Sequence, residues 1–297
     1  MGERDELTLP GGTPERRVAR LRALGGLAPF AVYTAIFLGA PTVAVLVGAF
    51  QSPSGGFTVE NFKMATSGVY AHGFAESLEL AAITAVVPGI LGVLVAYAVH
   101  TSRGTLLKRI VATASGVFAN FGGVPLAFIF VASLGATGIV TGWLRDMGAD
   151  PYTHGLSLYT FSGVALVYIY FQLPLMVLVV TPALGGLRPA WREAAENLGA
   201  RSWQFWRYVG GPVLMPTVLG CMLLLFGSGL SAYATAEALT DGTIPLTSIQ
   251  IGSFLNGNVI PGEQNVGKAL GFGLVVIICA VMGVYYVLQR RTSRWLQ

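Results

Sequence analysis

An all-α membrane protein with six spanning helices is the fold this sequence predicts, and three observations predict it. The first is composition: 54% of the 297 residues are apolar, 11% are charged, and mean hydropathy is +0.66. That is too little charge to keep a soluble core of this size in water. The second is a set of six charge-free intervals, 23–59, 80–102, 110–144, 151–187, 208–236 and 269–289. Each is long enough for the roughly 20 apolar residues that a hydrocarbon core requires. The third is the position of Lys and Arg, which mark the cytoplasmic side of a membrane protein. With both termini inside, 15 of the 18 basic residues lie on the inner side, and only Lys63, Arg145 and Lys268 lie outside.

Taken in order, residues 1–24 read as a polar cytoplasmic tail, 25–289 as a six-helix transmembrane domain, and 290–297 as a second cytoplasmic tail. The first apolar run is too long and too far from the start for a cleaved signal, so it is expected to stay as span one. Glu76 and Glu79 are expected at a solvated helix start at the outer mouth of span two. Pro88-Gly89 in span two, and Asn120, Gly122, Gly123 and Pro125 in span three, weaken a helix locally. Such residues are expected to face the protein interior, where neighbours satisfy the freed backbone groups. Span four carries Gln172 and Pro174. Span five ends in a lane of small residues, and Gln172, Ser228, Ser231, Tyr233 and Glu237 are candidate residues for a translocation path. The polar, charge-free segment 242–262 is read as a loop. It has the composition of a gate or of a docking surface.

Several chemistries are missing. No GxxxxGK[ST] phosphate loop occurs, so the chain does not read as its own ATPase. The three histidines are scattered, and no metal-spaced Cys/His cluster or Gly-x-Ser-x-Gly elbow appears. Span interiors carry almost no ionisable groups, which argues against catalytic carboxylates and against a proton relay. The net charge of +4 reports topology, and no nucleic-acid partner is inferred. Membrane lipid is the solvent. The two cysteines, Cys221 and Cys279, lie within spans and predict no disulfide framework.

The most specific stretch is the insert WREAAENLGARSWQFWRYVGGPVLMP, Trp191 to Pro216. Trp191, Ala194, Ala195 and Leu198 share one helical face, Gly199 interrupts it, and a second short helix with Trp203, Phe205 and Trp206 runs to Pro212. The pattern resembles the EAA loop of inner-membrane permease subunits of binding-protein-dependent (type I) ABC importers: EAA, three residues, Gly, nine residues, I-x-L-P. Here Glu193-Ala194-Ala195 is followed by Gly199, then by Val209 in the isoleucine place and Pro212 in the proline place. Gly211 departs from the usual leucine. The F-T-x-x-N-F segment, Phe57 to Phe62, extends the likeness, which is nearest to the spermidine/putrescine, ferric iron and phosphonate permeases.

That resemblance implies a type I importer permease (MetI-like) architecture and a set of partners. These are a dimer of ABC ATP-binding subunits docked on the loop 183–211, a second permease subunit that is either a paralogue or a second copy, and an extracytoplasmic substrate-binding protein. ATP and Mg are used by the ATPase partner, and no cofactor is bound by this chain. Coupling residues would be Glu193, Ala194, Ala195, Gly199, Ala200 and Pro212, with Trp203, Phe205 and Trp206 as aromatic anchors. A polyamine-like solute fits the acids on the outer side. The alternatives are a permease for phosphonate, iron or sugar, or, from another class, a self-sufficient channel or secondary transporter.

Overall fold

The computed structural model describes residues 27–153, 155–257, 263 and 265–293. The tail 1–24, residues 258–262 and residues 294–297 lie outside the described residues. Twelve helices make up the described chain, and no strand occurs among these residues beyond a single bridge between Gln51 and Phe57. They are α1 (Leu27–Gly48), α2 (Glu60–Ala65), α3 (Gly68–Thr101), α4 (Thr105–Ala119), α5 (Val124–Leu134), α6 (Ile139–Asp146), α7 (Phe161–Gly185), α8 (Pro189–Asn197), α9 (Ser202–Ser231), α10 (Ala234–Thr240), α11 (Thr247–Leu255) and α12 (Val266–Ser293). Six segments are long and apolar enough to cross a membrane: α1, α3, α7, α9, the stretch Val124–Asp146 and the part of α12 from Val266 to Val287.

The centre of the molecule is a three-helix bundle of α3, α7 and α9. Helices in lipid gain no hydrophobic drive from meeting each other, so they associate through close backbone approach and interlocking side chains. Glycines supply that approach: a Cβ on Gly89 would lie 2.7 Å from Met222 of α9, and one on Gly92 would lie 2.6 Å from Met176 of α7. Pro88 sits beside them, fully inside α3 and buried. One apolar cluster, around Met176, Val180, Leu214 and Leu225, fills one end of the bundle. A second, around Leu80, Leu126, Tyr168, Leu239 and Ile249, fills the other end and ties α5, α10 and α11 to it.

Four expectations are corrected here. Glu76 and Glu79 do not stand at a helix start, because α3 begins at Gly68; the two extra turns are held where the Ser77 hydroxyl accepts the Thr247 N–H at 2.8 Å. The segment 242–262 is not simply a loop. Its residues Thr247–Leu255 form α11, with Thr247, Ile249, Gln250 and Gly252 buried against α3 and Tyr233. Span three is broken between α4 and α5, and Asn120 and Gly122 are exposed on this chain instead of facing its interior. The break satisfies itself locally: Asn120 Nδ2 donates to Gly116 O at 2.8 Å, and Gly123 takes φ 73°. Finally, Pro212 does not close the second short helix, which runs on into span five.

That continuity has a physical cause. Proline has no N–H to offer the carbonyl four residues back, and the chain widens to a π-turn over Trp206–Gly210, where Gly211 N–H reaches Trp206 O. The same device occurs at Ala35–Gly39, again two residues before a proline, Pro41. In each case the helix passes the proline without a sharp break.

α1 lies on the flank, with none of its most apolar stretch buried. Its far end is fastened by amide side chains. Asn61, 1% exposed, donates to Ala49 O and Gln51 O at 2.9 Å each, and Asn265 donates to Gln51 O at 2.8 Å. Phe50, Phe62 and Phe272 pack ring against ring beside them, with centroids 4.8 to 5.5 Å apart. Asn61→Ala leaves the buried Ala49 O without its donor, while Gln51 O keeps Asn265, and it is expected to cost about 1–3 kcal/mol. Thermal unfolding in detergent checks this, and an unchanged midpoint would contradict the clasp.

Candidate functional site

The insert between α7 and α9 owes its shape to local backbone chemistry. Pro189 opens α8 at a position where its missing N–H costs nothing. At the other end Gly199 takes φ 77°. Gly199 N–H bonds Glu196 O and Ala200 N–H bonds Ala195 O, both at 2.9 Å. This is a Schellman cap, and it accounts for the spacing: glycine must stand in the left-handed position, and the residue four before it faces the one just after. Alanine at both Ala195 and Ala200 keeps that contact tight. The next helix is then primed by Gln204, whose Oε1 accepts the Arg201 N–H at 2.7 Å.

The loop presents an open surface. Glu193 and Ala194 are exposed, and Ala195 and Ala200 are half-buried. Arg192 Nε pairs with Glu196 Oε1 at 3.0 Å, an exposed pair of small energetic weight. Glu193 has no ion-pair partner among the described residues. Between the two helices lies a cleft of about 300 Å³ lined by Ala195, Leu198, Gly199, Gln204, Tyr208 and Val209. Its lining is apolar and open at Leu198, 88% exposed, and Tyr208, 68%; Trp203, on the second helix, is 58% exposed. The Arg207 guanidinium lies 5.1 Å from the Trp203 ring centre.

The three aromatic residues of the second helix are not equivalent. Trp203 points outward, whereas Phe205 is buried and Trp206 packs edge-on to Tyr97 of α3 at 5.2 Å. Phe205 and Trp206 therefore anchor the loop to its own bundle. Pro212 is half-buried in the first turn of the apolar part of α9. Tyr208 is a surface feature that helical periodicity missed, whereas the exposure of Leu198 follows from the face it shares with Trp191. Leu198 belongs to the apolar stripe with Trp191, and among the described residues nothing covers that stripe, Trp191 being 38% exposed and Leu198 88%.

The candidate path residues are spread over the bundle and its far end. Gln172 is 0% exposed at the crossing of α3, α7 and α9, and neither its Oε1 nor its Nε2 has a partner among the described residues. Ser228 is half-buried, and exposed Ser231 donates to Gly227 O at 2.8 Å. The Tyr233 ring lies against Gly252. Glu237 is half-buried, with Oε2 unpartnered. At the same end Tyr70 donates to Glu263 at 2.7 Å, and burial raises the Tyr152 hydroxyl above its ordinary value. An unpartnered amide in an apolar core is costly, so Gln172→Met is expected to stabilise the chain by about 1–3 kcal/mol. A lower unfolding temperature for that variant would contradict this.

Residues 88–294 match the family model of the binding-protein-dependent transport system inner membrane component. The chain belongs to this family. It is thus a permease component of the ABC-importer type, a multi-pass inner-membrane protein of a family that is not itself catalytic. The match takes in the whole insert between α7 and α9 and all of the spans from the middle of α3 onward. Over 276 residues the permease is 26% identical to the spermidine/putrescine transport system permease protein PotB of Haemophilus influenzae, covering 87% of this chain and 91% of that protein. It is 23% identical over 268 residues to the ferric transport system permease protein FbpB of Actinobacillus pleuropneumoniae, covering 89% of this chain but spanning only 38% of that relative's length. The permease fold is similar to a chain of a bacterial alginate ABC transporter solved in complex with an alginate pentasaccharide-bound periplasmic protein. The TM-score is 0.74 at 20% identity, with 93% of this chain and 96% of that one covered.

Proposed function

We propose that this permease forms half of the translocation pore of an importer powered by a separate ATPase dimer that docks on α8 and the start of α9. One observation carries the reading: a capped, exposed loop with an uncovered apolar rim continues without interruption into a span. From Ser202 to Ser231 the helix holds 30 residues, about 45 Å, so a push at Trp203 is delivered to the far end of the bundle. Glu193 supplies the free charge at the joint, Ala194 and Ala195 the close approach, and ATP and magnesium belong to the partner. A self-sufficient channel or secondary transporter would leave this surface without a purpose.

Orientation follows from charge. Arg103, Lys108, Arg109, Arg188, Arg192, Arg201 and Arg207 cluster at the loop end, which the positive-inside rule assigns to the cytoplasm along with both termini. The opposite end carries Glu60, Glu76, Glu79, Asp146, Asp150, Glu237, Asp241 and Glu263 against Lys63, Arg145 and Lys268. An extracytoplasmic binding protein would dock there. The acidic excess suits a small cationic solute of the polyamine kind, steered by long-range attraction. A second permease subunit, identical or paralogous, would cover the exposed α4–α5 break.

The decisive test is Trp203→Ala in the assembled transporter. At an exposed position the fold should change by no more than about 0.5 kcal/mol, while retention of the ATPase and solute uptake fall about tenfold or more. Phe205→Ala, in contrast, should cost about 3–5 kcal/mol of stability through the cavity it leaves. Wild-type coupling in Trp203→Ala, Leu198→Ala and Tyr208→Ala alike would sink the docking assignment. A ligand screen of the cognate binding protein decides the solute, and an anionic ligand would overturn the polyamine reading.

A further inference from the structure

At the loop end, on the side of the bundle away from α9, a cleft of about 330 Å³ opens between α3, α4 and α7. Its walls are apolar, formed by Val99, Val111, Ala112, Val177 and Leu178, and its rim carries His100 and Lys108. Arg103 and Arg109 stand beside that rim, exposed like Lys108. The segments forming the cleft, 99–119 and 177–182, contain no carboxylate. Arg103, Lys108 and Arg109 have no ion-pair partner among the described residues. Deeper in the cleft is Ser115, 6% exposed, whose hydroxyl has no hydrogen-bond partner among the described residues. It lies seven residues along α4 from Lys108, roughly 10 Å further in.

We infer that this cleft binds one anionic phospholipid from the adjacent leaflet. Its layers match that molecule in order: uncompensated cations at the level of the phosphates, a single unpaired hydroxyl for an ester carbonyl, then an apolar wall for an acyl chain. Basic residues at the water interface of a span attract anionic headgroups generally, at about 1 kcal/mol each. Topology alone accounts for such cations, but it does not account for a lateral apolar cleft beneath them with the Ser115 side chain in its lining. The inference needs the membrane location of the chain and a cleft left open to lipid beside the second permease subunit, and it is independent of how the loop couples to an ATPase.

The test is lipid retention by the purified full-length permease, in its complex, after delipidation and titration with phosphatidylglycerol or phosphatidylcholine in mixed micelles. Native mass spectrometry counts the lipids bound, and the unfolding temperature reads protection. Wild type should retain one phosphatidylglycerol at least about tenfold more tightly than phosphatidylcholine, that being the factor about 1.4 kcal/mol provides. Lys108→Ala combined with His100→Ala should erase that preference. Leu178→Trp, at a position 41% exposed, should block retention without altering charge, and Ala112→Phe repeats that block from the α4 side. Equal retention of the two lipids, undiminished retention in the variants, or equal protection by inorganic phosphate alone would overturn the proposal. Occlusion of the cleft by the second permease subunit, seen as crosslinking through a cysteine at position 112, would overturn it as well.

Discussion

Gly199→Val is expected to lower solute uptake at least about tenfold while the chain remains inserted and folded. Nothing lies within 4 Å of where a Cβ on Gly199 would stand, so no packing is violated. The cost is conformational: φ is 77°, a region that costs an L-residue about 1–2 kcal/mol, and more when it is β-branched. The cheapest relief is to leave that region, which breaks the bonds to Glu196 O and Ala195 O and swings α8 away from the start of α9. Because the loop is exposed, the bundle should keep its unfolding temperature. Asparagine tolerates the left-handed region, so Gly199→Asn should retain most uptake, with Gly199→Ala between the two. Uptake that is intact in the valine variant, or lost equally in all three, contradicts the role given to this turn. Co-purification of the ATPase subunit supplies the second readout.

Gly73→Ala acts at the opposite end through a different mechanism. A Cβ there would stand 2.1 Å from the carbonyl oxygen of Pro245 and 2.6 Å from Gln250 Nε2. Backbone cannot rotate out of the way as a flexible side chain can, so α11 must lift from α3. That separation breaks the Thr247 N–H bond to Ser77 and the Gln250 bond to Val69 O. A loss of about 3 kcal/mol follows, lowering the unfolding temperature by roughly 6–12 °C for a chain of this size. A full wild-type melting temperature would show that α11 is not seated as described.

The spans were legible because burying a charge in hydrocarbon is expensive, which leaves long charge-free intervals in any chain that crosses a membrane. The turn at Gly199 was legible for a similar reason, since only glycine fits there cheaply and the cap fixes its distance from Ala195. α11 was not. Its buried face is Thr247, Ile249, Gln250 and Gly252, which reads as polar loop until Ser77 and Gly73 are seen to receive it. The smooth passage through Pro212 was equally hidden, because a π-turn is a response of the backbone and leaves no pattern of its own in apolar spacing. Phe205 and Trp206 were assigned outward as aromatic anchors on residue type, when contact with Tyr97 and the bundle decides their direction. Gln172 was visible as a lone polar residue, but its lack of any partner could only be seen once α3 and α9 were in place.

The fastening of α1 also sets an order of events during synthesis. The carbonyls at its end are held by Asn61, made almost at once, and by Asn265, 214 residues later than Gln51, and its neighbour among the spans is the last one, α12. A ribosome adding about 5–20 residues per second therefore leaves the end of α1 without its second clasp for on the order of ten to forty seconds. A chain cut short ahead of Val266 would lack both Asn265 and α12, leaving Asn61 alone to hold the end of α1. Completion of the last helix is thus the step at which the end of α1 gains its full set of contacts.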